Sequence, residues 1–321
     1  MELENILKIV VYYDSLDYPL SFEELNIFLF YGSKNLDILA GLKGLKGKNL
    51  IDESDGFYFL RNRKELIELR EERKKIADEK WKKTLKTGKW LRLVPYVRLI
   101  FASGSLALSN TNKDSDLDVL MVVKHGKIWT SRFLTILLLG LLGMRRKRHQ
   151  RVAPDKICLN HFITNKSLYI PRKSIYTAQL YARLVPVLVE DEKLIKDFCE
   201  ANNWIGEYVR GWPECVLTNN KKLIANNRFL NFIKKLGEKL LDTKLGDWLE
   251  KILRKYQLGR INNYHLTYKP GGRVKANDES LEFHPDSPEL KIIERYNNKM
   301  KELGFSDLAG ERDSGLTKSM F

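Results

Sequence analysis

Cysteine is scarce in this chain: 321 residues hold three, Cys158, Cys199 and Cys215. An odd number, widely spaced and without a Cys-x-x-Cys, excludes a disulfide framework and a cysteine zinc site. A reducing, cytoplasmic setting is the expectation. The five histidines, His125, His149, His161, His265 and His284, show no ligand spacing, so no histidine zinc centre is indicated either. No apolar run reaches the roughly 20 residues that span a bilayer. The longest, Phe133 to Met144, reads as a buried helix, and no membrane partner is expected. The first residues, MELENILKIVVYYDS, carry acids where a signal peptide needs bases, so no signal peptide is expected. Internal repeats and low-complexity tracts are also missing.

Positive charge and apolar side chains are abundant. Lys and Arg outnumber Asp and Glu by 56 to 41, a formal net charge of +15. Such a field attracts phosphates and polyanions, which points to an anionic partner. An apolar content of 43% and this length suffice for two or three packed domains.

Along the chain, Leu3, Ile6, Leu7, Val10 and Val11 have helical spacing. Ser21 and Glu24 form a Ser-x-x-Glu capping box, which predicts a second helix through Leu29. Ile38, Leu42 and Leu45 mark a third, in which Gly41, Gly44 and Gly47 each cost about 1 kcal/mol relative to Ala. Two short apolar runs then flank Asp55-Gly56, a tight-hairpin dipeptide. Three helices and a hairpin predict a winged helix over residues 1–62. A charged helix over 63–88, interrupted at Gly88, should connect it to the next domain. YVRLIFAS (96–103), LDVLMVV (117–123) and KICLNHFI (156–163) read as strands, with the Phe133–Met144 helix between the last two. Beyond Pro171 the pattern is mostly helical to residue 308, and 309–321 reads as a flexible tail. Trp90, Trp129, Trp204 and Trp248 sit in apolar contexts and are expected in the core.

The stretch FASGSLALSNTNKDSDLDVLMVV, residues 101–123, carries the chemistry. Asp116 and Asp118 alternate with Leu117 and Val119, so on a strand both carboxylates face one side while the aliphatics enter the core. Two carboxylates on one face attract a hard divalent ion, and Mg²⁺ is commonly held by a few carboxylates plus substrate phosphates. Gly104 permits a tight turn and close approach to a phosphate, to which Ser105 and neighbouring amides can donate. The plainer alternative is a solvated acidic turn, and the Gly-Ser followed about a dozen residues later by Ser-Asp-x-Asp between two strands argues against it.

This arrangement resembles the polymerase-β-like nucleotidyltransferase superfamily, whose signature is Gly-Ser, a spacer and Asp-x-Asp on the next strand. Together with ICLNHF, YTAQL and YYDSLDYPLSFEEL, the chain is similar to bacterial predicted nucleotidyltransferases with an N-terminal winged helix. The resemblance implies an α+β fold: winged helix, small mixed-sheet nucleotidyltransferase domain over 89–170, and helical region over 171–308. It implies that Asp116 and Asp118 hold two Mg²⁺ ions and that Gly104 and Ser105 hold the β- and γ-phosphates of an NTP. An acceptor hydroxyl would attack the α-phosphate and pyrophosphate would leave.

Two positions depart from the superfamily pattern. A third carboxylate is common on the following strand, but the matching run Ile157–Phe162 has no acid. Asn160 offers a neutral oxygen there and His161 a base, and strict alternation admits only one of them to the site. Asn160 as a buried amide and His161 as a core histidine are the plainer readings. Ser109 stands where many relatives have Gly. Arg145, Arg146, Lys147, Arg148 and Arg151 exceed what helix-end compensation needs, and an RNA or other nucleic-acid acceptor fits them. Lys34, Lys43, Lys46 and Lys48 make the third helix basic as well. The alternatives to an NTP-using enzyme are therefore a nucleic-acid-binding or regulatory protein with a weakened nucleotide-binding domain, and a toxin–antitoxin-like modifier of a protein or tRNA.

Overall fold

The computed structural model describes residues 2–30, 37–147, 150, 152–219, 222–269, 272–285 and 287–305. Among them it is a mixed α+β protein with twelve α-helices and two sheets. Helix α1 (Glu2–Asp14) is followed by a short strand β1 (Leu20–Ser21), α2 (Phe22–Phe28), α3 (Ile38–Gly47) and the hairpin β2 (Ile51–Ser54) and β3 (Phe57–Leu60). The capping box is present: Ser21 Oγ accepts from the Glu24 amide at 3.3 Å, and the Glu24 carboxylate accepts from the Ser21 amide at 3.0 Å. Asp55 and Gly56 both have positive φ, 54° and 77°, as a two-residue hairpin loop of this kind requires. The three strands pair antiparallel in the order β1-β3-β2. Two glycines of α3 have a packing role against α1: an added Cβ would lie 2.3 Å from Ile6 Cδ1 at Gly41 and 3.0 Å from Leu3 Cδ2 at Gly44, but would meet nothing within 4 Å at Gly47.

Helix α4 (Glu65–Leu91) runs straight through Gly88, contrary to the interruption expected there. The residue is small because Ile224 packs against it: an added Cβ would lie 2.4 Å from Ile224 Cδ1. Tertiary contact, not helix breaking, accounts for this glycine.

The second sheet contains β4 (Val97–Ala102), β5 (Leu117–Val123), β6 (Ile157–Thr164), β7 (Val185–Val189), β8 (Arg273–Ala276) and β9 (Ser280–His284), in the order β7-β4-β5-β6-β9-β8. Between β4 and β5 is the one-turn helix α5 (Gly104–Ala107), and α6 (Ile128–Leu141) makes the crossover between the parallel strands β5 and β6. The remaining helices are α7 (Ile175–Tyr181), α8 (Lys193–Ala201), α9 (Glu214–Leu217), α10 (Arg228–Leu241), α11 (Lys244–Asn262) and α12 (Glu289–Glu302).

Alternation sorts the sheet between two cores. Leu99, Phe101, Leu120 and Val122 join α7, α8 and the N-terminal unit, while Ile100, Val119 and Met121 join α4, α6 and α11. The N-terminal unit is thereby packed on the sheet; Tyr13 of α1 donates to Gln179 of α7 at 2.8 Å.

Three strands lie beyond residue 170, so a boundary drawn there runs through the sheet. β7 contains Pro186, which is tolerated because this strand is an edge, paired with β4 alone. β8 and β9 do alternate, with Val274, Ala276, Leu281 and Phe283 turned to the core, but at four and five residues each the pattern is too short to stand out in the sequence. Helix α6 starts five residues before Phe133 because Glu250 of α11 accepts from the Trp129 and Thr130 amides at 2.9 and 2.8 Å. It is only partly buried: Leu139 is in the core, Leu137 and Leu141 are exposed. Trp129 and Trp204 are core residues as expected, whereas Trp90 and Trp248 are exposed. Residues 309–321, Lys34, Arg148 and Arg151 lie outside the described residues.

Candidate functional site

Strand β4 ends at Ala102, and the chain turns at Gly104 with φ +65°. A Cβ added at Gly104 would lie 2.6 Å from Asp118 Oδ2. Both the left-handed backbone and the close approach therefore require glycine here. The Ser103 amide donates to the Asp118 carbonyl at 3.0 Å, locking this turn to the start of β5. Asp116 and Asp118 flank the fully buried Leu117 and share one face, as alternation demands.

The loop before Asp116 is anchored by Lys80 of α4. This residue is 2% exposed, and its ammonium donates to the carbonyls of Lys113 and Ser115 at 3.1 and 2.7 Å and to Asp155 at 2.9 Å. Among the charged residues of a long helix, this lysine gave no sequence signal.

Strand β6 lies beside Asp118. Its pairing with β5 runs Asp118↔Cys158 and then Leu120↔His161, so β6 holds one extra residue opposite Val119. Such a bulge re-aims side chains. Asn160 and His161 both line the cavity in front of Asp118, correcting the expectation that only one of them could. Asn160 Nδ2 donates to Asp118 Oδ1 at 2.7 Å. His161 Nδ1 lies 2.9 Å from the Tyr181 hydroxyl, and burial pulls its pKa down to about 3, leaving it neutral. Cys158, two positions before Asn160, brings a thiol to the carboxylates; the ligand atoms of Asp116, Asp118 and Cys158 lie within 4.8 Å of one another. Arg146 donates to Asp116 Oδ2 and to Cys158 Sγ, the latter at 3.6 Å.

The cavity holds about 950 Å³. Six cations line it, Arg132, Arg145, Arg146, Lys147, Lys269 and Arg273, against two carboxylates, Asp116 and Asp118. Tyr176, Tyr264 and His265 add flat aromatic surface, and Ser103 and Gly104 contribute to the wall. Ser105 is not among its lining residues. The far wall, from residues after α11 and from β8–β9, carried no sequence signal, because only the sheet order brings it opposite Asp118.

Burial, and next the neighbouring charge of Asp116, push the Asp118 pKa up to about 7. Burial also raises the Cys158 thiol, ahead of the two carboxylates, so it stays protonated and offers no soft thiolate. A divalent ion is the natural remedy for two crowded carboxylates. The donors present fit one hard, oxygen-seeking ion between Asp116 and Asp118, with Arg146 yielding its place on Asp116. Asn160 meets Asp118 through its amide nitrogen, and no third carboxylate lines the described cavity.

Comparisons of the chain with family models, with curated proteins and with solved structures found no match. The site is therefore interpreted from its own chemistry.

One consequence can be measured without knowing a substrate. The Asp118 carboxyl has its affinity for protons raised from the ordinary 3.8 to about 7, so between these values the native state binds more protons than the unfolded one. The stability contributed by this group then falls as pH rises from about 4 to about 7 and levels off above, by on the order of 2–4 kcal/mol. His161 and His284, both kept neutral by desolvation, act in the opposite sense in both proteins. Urea unfolding at pH 5 and pH 8 should therefore show the wild type losing roughly 2–3 kcal/mol relative to Asp118→Asn as pH rises. Equal pH dependence in both would rule the assignment out.

Proposed function

We propose that the chain is a Mg²⁺-dependent nucleotidyltransferase of the polymerase-β-like kind, moving a nucleoside monophosphate from an NTP to an acceptor hydroxyl. The observation that carries this reading is the contact between the Gly104 turn and Asp118 at the floor of a cation-lined cavity. A glycine turn pressed against one of two paired carboxylates places a phosphate-accepting backbone beside a metal-binding pair. The lining cations offer the neutralisation that a triphosphate needs.

In this reading Asp116 and Asp118 hold Mg²⁺, and Gly104 with Ser105 holds the terminal phosphates. The ion, when bound, supplies charge neutralisation and Lewis acidity at the reacting phosphate. Asn160 orients Asp118 through its 2.7 Å hydrogen bond. Arg146, displaced from Asp116, is within the same wall and available to phosphate oxygens. The bond from the acceptor oxygen to the α-phosphorus forms as the bond to the β-phosphate oxygen breaks; the hydroxyl proton passes to water, and pyrophosphate leaves with the electron pair of the broken bond. Expectation of a second Mg²⁺ rests on phosphate oxygens completing its shell, since Asn160 and Cys158 occupy the strand where a further carboxylate would help. The order of elements in the N-terminal unit and its β1-β3-β2 sheet support a winged helix. Free cysteines suit a cytoplasmic location.

The neutral Asn160 and Cys158 on β6 favour one second reading: a regulatory or nucleic-acid-binding protein that holds nucleotide without turnover. Pyrophosphate release from each of the four NTPs, with Mg²⁺ or Mn²⁺ and with or without mixed RNA and cell metabolites, separates the two. Release from at least one NTP is the expected result. Nucleotide binding with no release under any condition would replace the enzyme with the sensor.

A further inference from the structure

Helix α10 is built inside out. Its contacts with the body are polar: Lys234 is buried and donates to the Val97 carbonyl and Glu190, and Glu238 accepts from Arg98 at 2.7 and 2.9 Å and from the Tyr96 amide at 2.7 Å. Its apolar stripe, Phe229, Phe232, Ile233, Leu236 and Leu240, faces outward, with Phe229 69% and Leu240 68% exposed. Helix α11 follows after Asp242-Thr243 and, although its inner face is partly apolar, also carries an outward apolar stripe. It buries Leu253, Gln257 and Ile261 and exposes Leu245, Trp248, Ile252 and Tyr256, Leu245 at 70% and Trp248 at 59%.

At about 150–250 Å² for each aromatic side chain and less for each aliphatic, the stripe on α10 alone leaves roughly 500 Å² open, and the two together roughly 900 Å². Scattered exposed apolar residues need no explanation, but a stripe of this size on each of two consecutive helices does. The protein does not use these side chains for its own core.

Charge decides what covers them. The four acids of residues 228–262 are all engaged with the body: Glu238 as above, Asp242 with Lys124 at 3.0 Å and the Tyr96 hydroxyl at 3.0 Å, Asp247 with Lys127 at 2.6 Å, and Glu250 with the first amides of α6. The cations Arg228, Lys235, Lys239, Lys244, Lys251 and Lys255 are instead exposed. At about 100° per residue, the three on each helix fall within roughly 40° of one another, along one flank of that helix's stripe. A second copy of this chain would set such cationic rows against their own kind. An anionic lipid surface satisfies both features, because apolar side chains enter the acyl boundary while long lysine stems reach up to the headgroups.

We infer that α10 and α11 form a peripheral docking surface for an anionic membrane. Neither is a spanning segment, and no helix among the described residues is long and apolar enough to cross a bilayer. The expectation of no membrane partner rested on the missing 20-residue apolar run. A helix lying in the interface is recognised by its face, not by its total hydropathy. The chain leaving α11 enters the cavity wall at Tyr264, His265 and Lys269, so the surface and the site are adjacent in sequence. This inference does not depend on the reaction proposed above.

Flotation of the full chain with vesicles tests it. Vesicles of phosphatidylcholine with about 30% phosphatidylglycerol should carry the protein upward, and pure phosphatidylcholine should carry much less of it. Phe232→Glu and Trp248→Glu, both at exposed positions and checked for unchanged circular dichroism, should each lower binding to the anionic vesicles roughly tenfold or more. No flotation with anionic vesicles, or unaltered flotation of both variants, overturns the inference. So does a dimer in sedimentation velocity that both variants convert to monomer, since the face would then belong to a second copy.

Discussion

Asp118→Asn should abolish pyrophosphate release, by roughly 1000-fold or more, because it removes a ligand charge from the place where the triphosphate must be neutralised. The same substitution should leave the fold intact and raise its stability above pH 7. Burial and the Asp116 charge make the ionised Asp118 costly, and an amide of the same shape has no charge to desolvate. The Asn160 hydrogen bond survives, since an amide oxygen accepts as a carboxylate oxygen does. A more stable but inactive variant is a combination that a structural role for Asp118 would not produce. Asp116→Asn should be equally inactive while loosening Arg146, its partner in the salt bridge. Full release by either variant, measured beside the wild type with the same NTP, would remove the nucleotidyltransferase assignment.

Gly104→Ala carries the second large effect. Alanine at φ +65° is strained, and its Cβ would meet Asp118 Oδ2 at 2.6 Å with the Asp118 carbonyl held by the Ser103 amide at 3.0 Å. Strain and displacement together should cost about 1–3 kcal/mol of stability. Transfer should fall by roughly 100-fold or more, because a shift of about 1 Å in Asp118 misplaces the group that positions the phosphates. Thermal unfolding and pyrophosphate release on the same preparation check both halves. A variant with wild-type activity would show that the turn does not position Asp118 for chemistry. Gly126, beyond the opposite end of β5, is a useful comparison: it also has positive φ, 74°, but an added Cβ would meet nothing within 4 Å. Gly126→Ala should therefore show backbone strain without loss of transfer.

Local patterns make several features legible in the sequence. The capping box of Ser21 and Glu24 and the Asp55-Gly56 turn involve residues no more than three apart. The strands β4, β5 and β6 appear in sequence as largely apolar runs because both of their faces are covered. Asp116 and Asp118 interrupt that pattern at adjacent same-face positions, which is why the pair stands out. Other features leave no such trace. β7 holds a proline that only its edge position excuses, and the alternation of β8 and β9 extends over only four and five residues. The start of α6 depends on Glu250, more than a hundred residues away. Gly88 resembles a helix break until Ile224 is placed against it.

The amino-acid order by itself determined the turn at Gly104 and the common face of Asp116 and Asp118, because alternation along a strand is a property of the strand alone. It also determined the excess of positive charge. Tertiary structure decided what those groups face: the bulge that admits both Asn160 and His161, the Lys80 anchor, the cationic wall opposite, and the outward turn of the α10 and α11 stripes. It decided the proton affinity of Asp118 as well, since that depends on water exclusion and on charges brought near by packing. A helix's sequence says which residues share a side; the rest of the chain decides whether that side meets the core or the surroundings.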